Sequence, residues 1–288
     1  MKPQEYGPFP YSPIHQRPRI AWPDGARVAL WVIPNIEFFA LDQPISGQAS
    51  RTPNVPDWSA RDYGNRVGVF RLMEVMERFG IRGTVALNSD LCARHPEIIS
   101  RAAELGWENM GHCESNTRPL SQVPAEKELE TIQNTLDTIG QATRKRPRGW
   151  LGAGLQETWT TLDNLIEAGV DYVADWVNDD QPYVMSIDGK EIVSIPYTRE
   201  LNDRSVIGRF NRSAGEFEQQ IRDQFDVLYR EGADSGRVMA IALHPYIIGV
   251  PHRIVALERA LEYVCSHEAI WRATGSEIVD AFRSQVGS

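Results

Sequence analysis

The feature that most constrains this chain is an alternation kept from end to end: short, nearly unbroken apolar runs separated by stretches of helical periodicity. Val28-Ala29-Leu30-Trp31-Val32-Ile33 and Val238-Met239-Ala240-Ile241-Ala242-Leu243 lack polar alternation, as expected of strands covered on both faces. Shorter runs at 83–88, 107–110, 148–151, 172–174, 191–195 and 270–274 read the same way. Between them Val69, Leu72, Met73, Met76 and Phe79 recur at helical spacing, and Ser213 with Glu216 forms a capping box ahead of Phe217, Ile221, Phe225 and Leu228. Thr158 reads as the cap of a helix carrying Leu162, Leu165 and Ile166. Such alternation implies an α/β fold on a parallel sheet, and about seven or eight units in this length favour closure into a barrel.

With 288 residues and 42% hydrophobic content, the chain can bury one full core, expected over residues 23–288. Residues 1–22 precede it, and Pro3, Pro8, Pro10, Pro13 and Pro18 there predict an extended arm, either wrapping a neighbouring subunit or strapping the surface. Pro34 is expected to end the first strand. Phe38 to Tyr63, punctuated by Pro44, Gly47, Pro53 and Pro56, reads as a long functional loop, a lid or an interface. Arm and loop together predict a homodimer or homotetramer.

A net charge of -9 argues against nucleic-acid partners, which select a basic surface. Cys92, Cys113 and Cys265 are few, odd in number and without CxxC spacing, so neither a disulfide framework nor a cysteine zinc site is expected, in keeping with a reducing cytoplasm. The N-terminal stretch has no apolar signal core and no run approaches the about 18 apolar residues of a membrane span, so a cytoplasmic protein without membrane partners is expected.

Chemistry concentrates where apolar runs end, the mouth at which parallel α/β folds place their sites. Met110-Gly111-His112 closes one such run, Asn35-Ile36-Glu37 follows another, and His244 follows a third. His15 lies in the arm, while His95, His252 and His267 fall at helix ends and read as caps or surface groups. Asp179 and Asp180 either serve the site or cap the next element, and Trp150 and Trp176 either wall a pocket or fill the core. A carboxylate with two imidazoles suits hydrolysis: the carboxylate takes a proton from water and an imidazole returns one to the leaving atom. The same three could hold a zinc, which takes about three N/O ligands and an open position. Spacing leaves both open.

Across residues 22–284 the chain resembles the polysaccharide deacetylase (NodB-homology) superfamily, in particular the branch similar to PuuE-type allantoinases and related cyclic-amide or cyclic-imide hydrolases. The residues that carry this are Asn35-Ile36-Glu37, Arg61-Asp62-Tyr63-Gly64-Asn65-Arg66-Val67-Gly68, Gly111-His112, Gly149-Trp150-Leu151-Gly152, Asp179-Asp180-Gln181-Pro182-Tyr183, Ile195-Pro196-Tyr197 with Asn202-Asp203, and Leu243-His244-Pro245 with Ile248-Gly249. The resemblance implies a distorted (β/α)7 barrel. Metal-dependent members use an aspartate pair after the first strand and a His-x-x-x-His pair later; the matching positions here are Asn35 with Glu37, and His112 with Asn116. This departure agrees with the allantoinase-like branch, some of whose members are regarded as metal-independent, so no cofactor is expected. On this resemblance the chain hydrolyses a C–N bond in a small cyclic amide, imide or ureide. Glu37 would activate water or hold it with His112, His244 would be the general acid, and Asn35 and Asn116 would donate to the oxyanion. Trp150 and Trp176 would stack on the ring and Asp179 or Asp180 would read its N–H groups. The alternatives are a metal-assisted sugar N-deacetylase, with Glu37, His112 and Asn116 as residual zinc ligands, and a catalytically silent binding protein.

Overall fold

The structure, a computed structural model, describes residues 6–45 and 52–286; the arm's Pro3 and the loop's Gly47 lie outside the described residues. The first strand, β1 (Val28–Ile36), is buried over its whole length. It runs through Pro34 rather than ending there: residues 28–34 pair with β8 (Arg237–Leu243), and Asn35 and Ile36 pair with β2 (Thr84–Leu87). Pro34 thus stands at the changeover between two partners, where a missing N–H is tolerated.

Beyond β2 the parallel order continues through β3 (Glu108–Gly111), β4 (Gly149–Trp150) and β5 (Tyr172–Val173) to β7 (Lys190–Ser194), while β9 (Ile270–Arg272) pairs with the start of β1. One strand corrects the all-parallel expectation. Tyr183–Ile187 is β6, antiparallel to β7 through the Asp188-Gly189 turn, with both turn residues at positive φ. The sheet therefore ends in β7–β6 on one side and β8 on the other. Between these ends lies no full ladder: Ala242 N donates to Leu201 O (2.9 Å) and Val238 N to Asp180 O (2.9 Å). The result is a mixed sheet curled into a distorted (β/α) barrel.

Helices cover the outside: α1 (Val55–Tyr63), α2 (Val69–Arg78), α3 (Asp90–Arg94), α4 (Pro96–Glu104), α5 (Glu128–Thr143), α6 (Thr161–Glu167), α7 (Ala214–Glu231), α8 (Pro251–Cys265) and α9 (Gly275–Val286). The 38–63 stretch is a loop only as far as Asn54. The Asn54 side chain accepts from Asp57 N and Pro56 sits in the first turn, so a proline expected to break structure starts α1. Thr158 is not the cap of α6, which begins at Thr161; its hydroxyl donates instead to the buried Glu128 (2.6 Å).

Wider-wound Gly64–Gly68 joins α1 to α2 and carries the helix against the turn after β8. A Cβ on Gly68 would lie 2.1 Å from Pro245 O, so only glycine allows this approach. The arm straps its own barrel: Gly236 N donates to Ile20 O (2.7 Å), Trp22 Nε1 to Arg237 O (2.9 Å), and Ser186 N to Pro8 O (3.1 Å). No helix among the described residues is long and apolar enough to cross a membrane.

Candidate active site

The C-terminal ends of β1, β3 and β8 deliver Glu37, His112 and His244 to one cavity of about 250 Å³. Glu37 leaves β1 and is fixed there by its neighbour in the chain. Phe38 N donates to Asn88 Oδ1 (2.8 Å), and Phe38 O accepts from Asn116 N (3.1 Å) and Ser115 Oγ (3.1 Å). Asn88 in turn donates to His112 O, so one amide after β2 ties the ends of β1 and β3 together. The Glu37 Oε1 atom lies 3.7 Å from His112 Nε2 and 3.6 Å from His244 Nε2, and accepts from Asn116 Nδ2 at 2.5 Å.

The two imidazoles are prepared differently. His112 Nδ1 lies 2.5 Å from Leu151 O. A carbonyl only accepts, so Nδ1 carries a proton and Nε2 is the atom turned toward Glu37. That atom is buried and has no hydrogen-bond partner. His244 Nδ1 instead meets Asp203 Oδ1 at 2.7 Å, and its backbone N donates to Asp203 Oδ2 at 2.8 Å. Asp203 is fully buried. Burial disfavours charge on His244, but the charges of Asp203 and Glu37 and hydrogen bonding to both outweigh it, raising the imidazolium pKa to about 9. Burial likewise opposes ionisation of Glu37. The His244 charge and polar contact with both rings prevail, holding the carboxyl well below the usual carboxylate range.

Asn35 and Asn116 line the cavity, where each amide is already partly engaged. Asn35 Nδ2 is turned onto Ile33 O (3.2 Å), and its Oδ1 accepts from Tyr197 OH at 3.5 Å. Asn116 uses one N–H of Nδ2 on Glu37, keeps the other, and leaves Oδ1 unpartnered as an acceptor. Of the two amides expected to donate to an oxyanion, Asn35 has its N–H groups turned to backbone carbonyls, Ile33 O and Leu243 O (3.5 Å), and Asn116 retains one.

Four other residues expected in the site lie outside this cavity. Trp150 is fully buried and packs over Gly111, whose missing Cβ would meet its ring at 2.7 Å. Trp176 faces a neighbouring cavity, stacked edge-on against Phe9 of the arm (5.4 Å between centroids), with Nε1 donating to Glu157 (3.0 Å). Asp179 pairs with Arg17 of the arm at 2.6 Å, and Asp180 borders a separate cleft beside Val238. Strand ends alone did not tell which side of each end faces the pocket.

Missed by sequence reasoning were Asp203, Arg61, Tyr197, Arg204 and Tyr246, which join or back the cavity. Asp203 had one signal, its place beside Asn202 among the residues that carry the family resemblance, but in the polar stretch 198–205 nothing marked it as a partner of His244. Tyr197 and Tyr246 follow the runs at 191–195 and 238–243 by two and three residues, while Arg61 and Arg204 come from helical segments with no such run beside them.

A zinc does not fit this donor set. Asp203 and Glu37 keep His244 protonated, Nε2 included, below about pH 9, and Asn116 turns an N–H, not an oxygen, toward Glu37. In that state only Glu37 and His112 Nε2 offer lone pairs, short of the about three ligands a catalytic zinc takes. Among the described residues no group of three His, Cys, Asp or Glu side chains converges on a metal position.

Comparison with known proteins bears on this geometry. A polysaccharide deacetylase family profile matches residues 60–173. The chain carries a polysaccharide deacetylase, NodB-type domain. The crystal structure of PuuE allantoinase superposes with a TM-score of 0.84 at 28% identity, covering 94% of this chain and 95% of that one. A probable polysaccharide deacetylase from Pseudomonas aeruginosa PAO1 does so equally well, TM-score 0.84 at 29% identity over 94% and 95% of the two chains. A provisionally named polysaccharide deacetylase of Schizosaccharomyces pombe is 27% identical over 79% of this chain and 76% of its own. These likenesses establish the NodB-like (β/α) barrel and a deacetylase/allantoinase-type hydrolase acting on C–N bonds.

Proposed function

We propose that this hydrolase opens the ring of a small cyclic amide, imide or ureide without a metal. The observation that carries the reading is the division of labour around Glu37: an unpartnered His112 Nε2 on one side and a His244 imidazolium on the other, with Asn116 where a second ligand imidazole would be needed. A cavity of about 250 Å³ suits one small ring, and likeness to PuuE allantoinase supports the class.

The residues set an order of proton movements. His112 Nε2 takes a proton from water as its oxygen adds to the ring carbonyl. Glu37, too weakly basic at neutral pH to take that proton itself, holds the water and stabilises the charge growing on His112. His244 opposes the oxyanion and passes its Nε2 proton to the ring nitrogen as the C–N bond breaks, while Asp203 keeps its tautomer and orientation. Asn116 Oδ1 accepts an N–H of the ring. The products are a carboxylate and the freed nitrogen on one opened chain; the carboxyl proton restores His244, and His112 releases the proton it took from water to solvent as product leaves.

The test is ring opening of a panel of hydantoins, succinimides and allantoin by the purified protein, with Glu37→Gln beside it. Turnover of at least one ring, abolished in a folded Glu37→Gln variant, is expected. A silent panel refutes the ring-hydrolase reading, and unchanged activity in Glu37→Gln removes Glu37 from the mechanism.

A further inference from the structure

The wall of this cavity holds an arginine that the proton movements do not use. Arg61, on α1, is 8% exposed, its guanidinium carbon 4.6 Å from the Phe39 ring centroid and 5.2 Å from that of Tyr246. Its Nη1 donates to Asp57 O at 2.9 Å, while its buried Nε has no partner. No carboxylate of the described residues forms an ion pair with it, although burying an unpaired guanidinium is costly. The aromatic faces offset part of that cost and hold the planar fork in place.

The rest of the lining points the same way. Arg199 and Arg204 also border the cavity, against a single lining carboxylate, Glu37, which is already matched by His244. Three arginines facing one carboxylate that is already matched make this lining electropositive, as a pocket for an anion should be. Arg61 belongs to neither partner of the catalytic pair, so its free donor is available to a part of the substrate that does not react.

We infer that Arg61 is a specificity residue for a carboxylate carried on the substrate ring, so that the preferred substrates are anionic cyclic amides or ureides. A planar guanidinium offers a carboxylate two parallel hydrogen bonds, which an ammonium does not. The inference rests on the ring-hydrolase reading for its chemistry but not for its binding.

The test compares matched rings with and without the carboxylate: dihydroorotate against dihydrouracil, and hydantoin-5-acetate against hydantoin. Ring opening and calorimetric binding are both measured, on the wild type, Arg61→Met and Arg61→Lys. A carboxylated ring is expected to bind about 30-fold or more tighter than its plain partner. Arg61→Met should raise its KM about 100-fold with a much smaller effect on the plain ring, and Arg61→Lys should fall between. Equal treatment of both rings by the wild type, or an equal loss for both in Arg61→Met, overturns the inference and leaves the ring-hydrolase reading standing. If no ring is opened, that reading fails separately: binding of a carboxylated ring lost in Arg61→Met still supports the subsite, and absence of binding overturns it. Should Arg61→Met fail to fold, the wild-type pairs and Arg61→Lys decide.

Discussion

Asp203→Asn isolates the carboxylate that keeps His244 charged. It is fully buried, places Oδ1 2.7 Å from His244 Nδ1 and is the largest influence raising a pKa of about 9. An asparagine keeps the shape and removes the charge. With Glu37 still near, His244 should fall to about 7, closer to the ordinary imidazole range. At pH 8 the imidazolium fraction then drops from about nine-tenths to about one-tenth, a loss of about tenfold in kcat/KM that recovers by about pH 6. Stability follows the same sign. A raised imidazole contributes fully below its ordinary pKa near 6.5 and loses that contribution as pH climbs through about 9, an amount of roughly 3 kcal/mol at 1.4 kcal/mol per pH step. The variant should therefore be less stable at pH 6 and show a flatter decline between about pH 6.5 and 9. The lost acceptor for His244 N costs about a further 1–3 kcal/mol at all pH values. pH–rate profiles, urea unfolding at three pH values and NMR titration of the His244 ring measure these together. An alkaline limb that stays near 9 would refute the assignment of His244 as the acid.

The same geometry sets two further outcomes. Exhaustive dialysis against a strong chelator should leave turnover intact; a loss restored by zinc would show that the two-ligand count is wrong. Gly68→Ala should lower stability by about 2 kcal/mol or more in urea and reduce kcat, because its Cβ would strike Pro245 O at 2.1 Å and push the turn that carries His244; an unchanged midpoint with full activity would refute that link.

Much of the barrel was legible because a strand buried on both faces leaves a plain mark, an apolar run such as 238–243, and β8 occupies residues 237–243. His112 and His244 were legible for the same reason, since each stands directly after such a run. The hairpin of β6 and β7 was overlooked although Asp188-Gly189 is a strong turn pair, because Tyr183-Val184-Met185 is a short run cut by Ser186, as expected of an edge strand only partly buried. Proline carried two meanings that composition does not separate: Pro56 begins a helix and Pro34 sits inside a strand. Trp150 and Trp176 show the limit of strand-end reasoning. A side chain at the barrel mouth points inward or outward according to a pleat whose phase depends on register, and the register of a two-residue strand such as β4 leaves no pattern in sequence.

Under the proposed mechanism the charge arrangement favours His112 over Glu37 as the base, two groups that sequence left level. A carboxylate held far below its usual range by an adjacent imidazolium is a poor proton acceptor at neutral pH, whereas an imidazole whose Nδ1–H is committed to Leu151 O has its lone pair free. Moving the proton of water to His112 places positive charge 3.7 Å from Glu37, a favourable change; moving it to Glu37 would remove the negative charge that keeps His244 an acid. In the first case the acid is unchanged when the base acts, and in the second the base disarms the acid. The buried carboxylate is therefore worth more ionised throughout the cycle, as the fixed charge between two imidazoles of opposite duty.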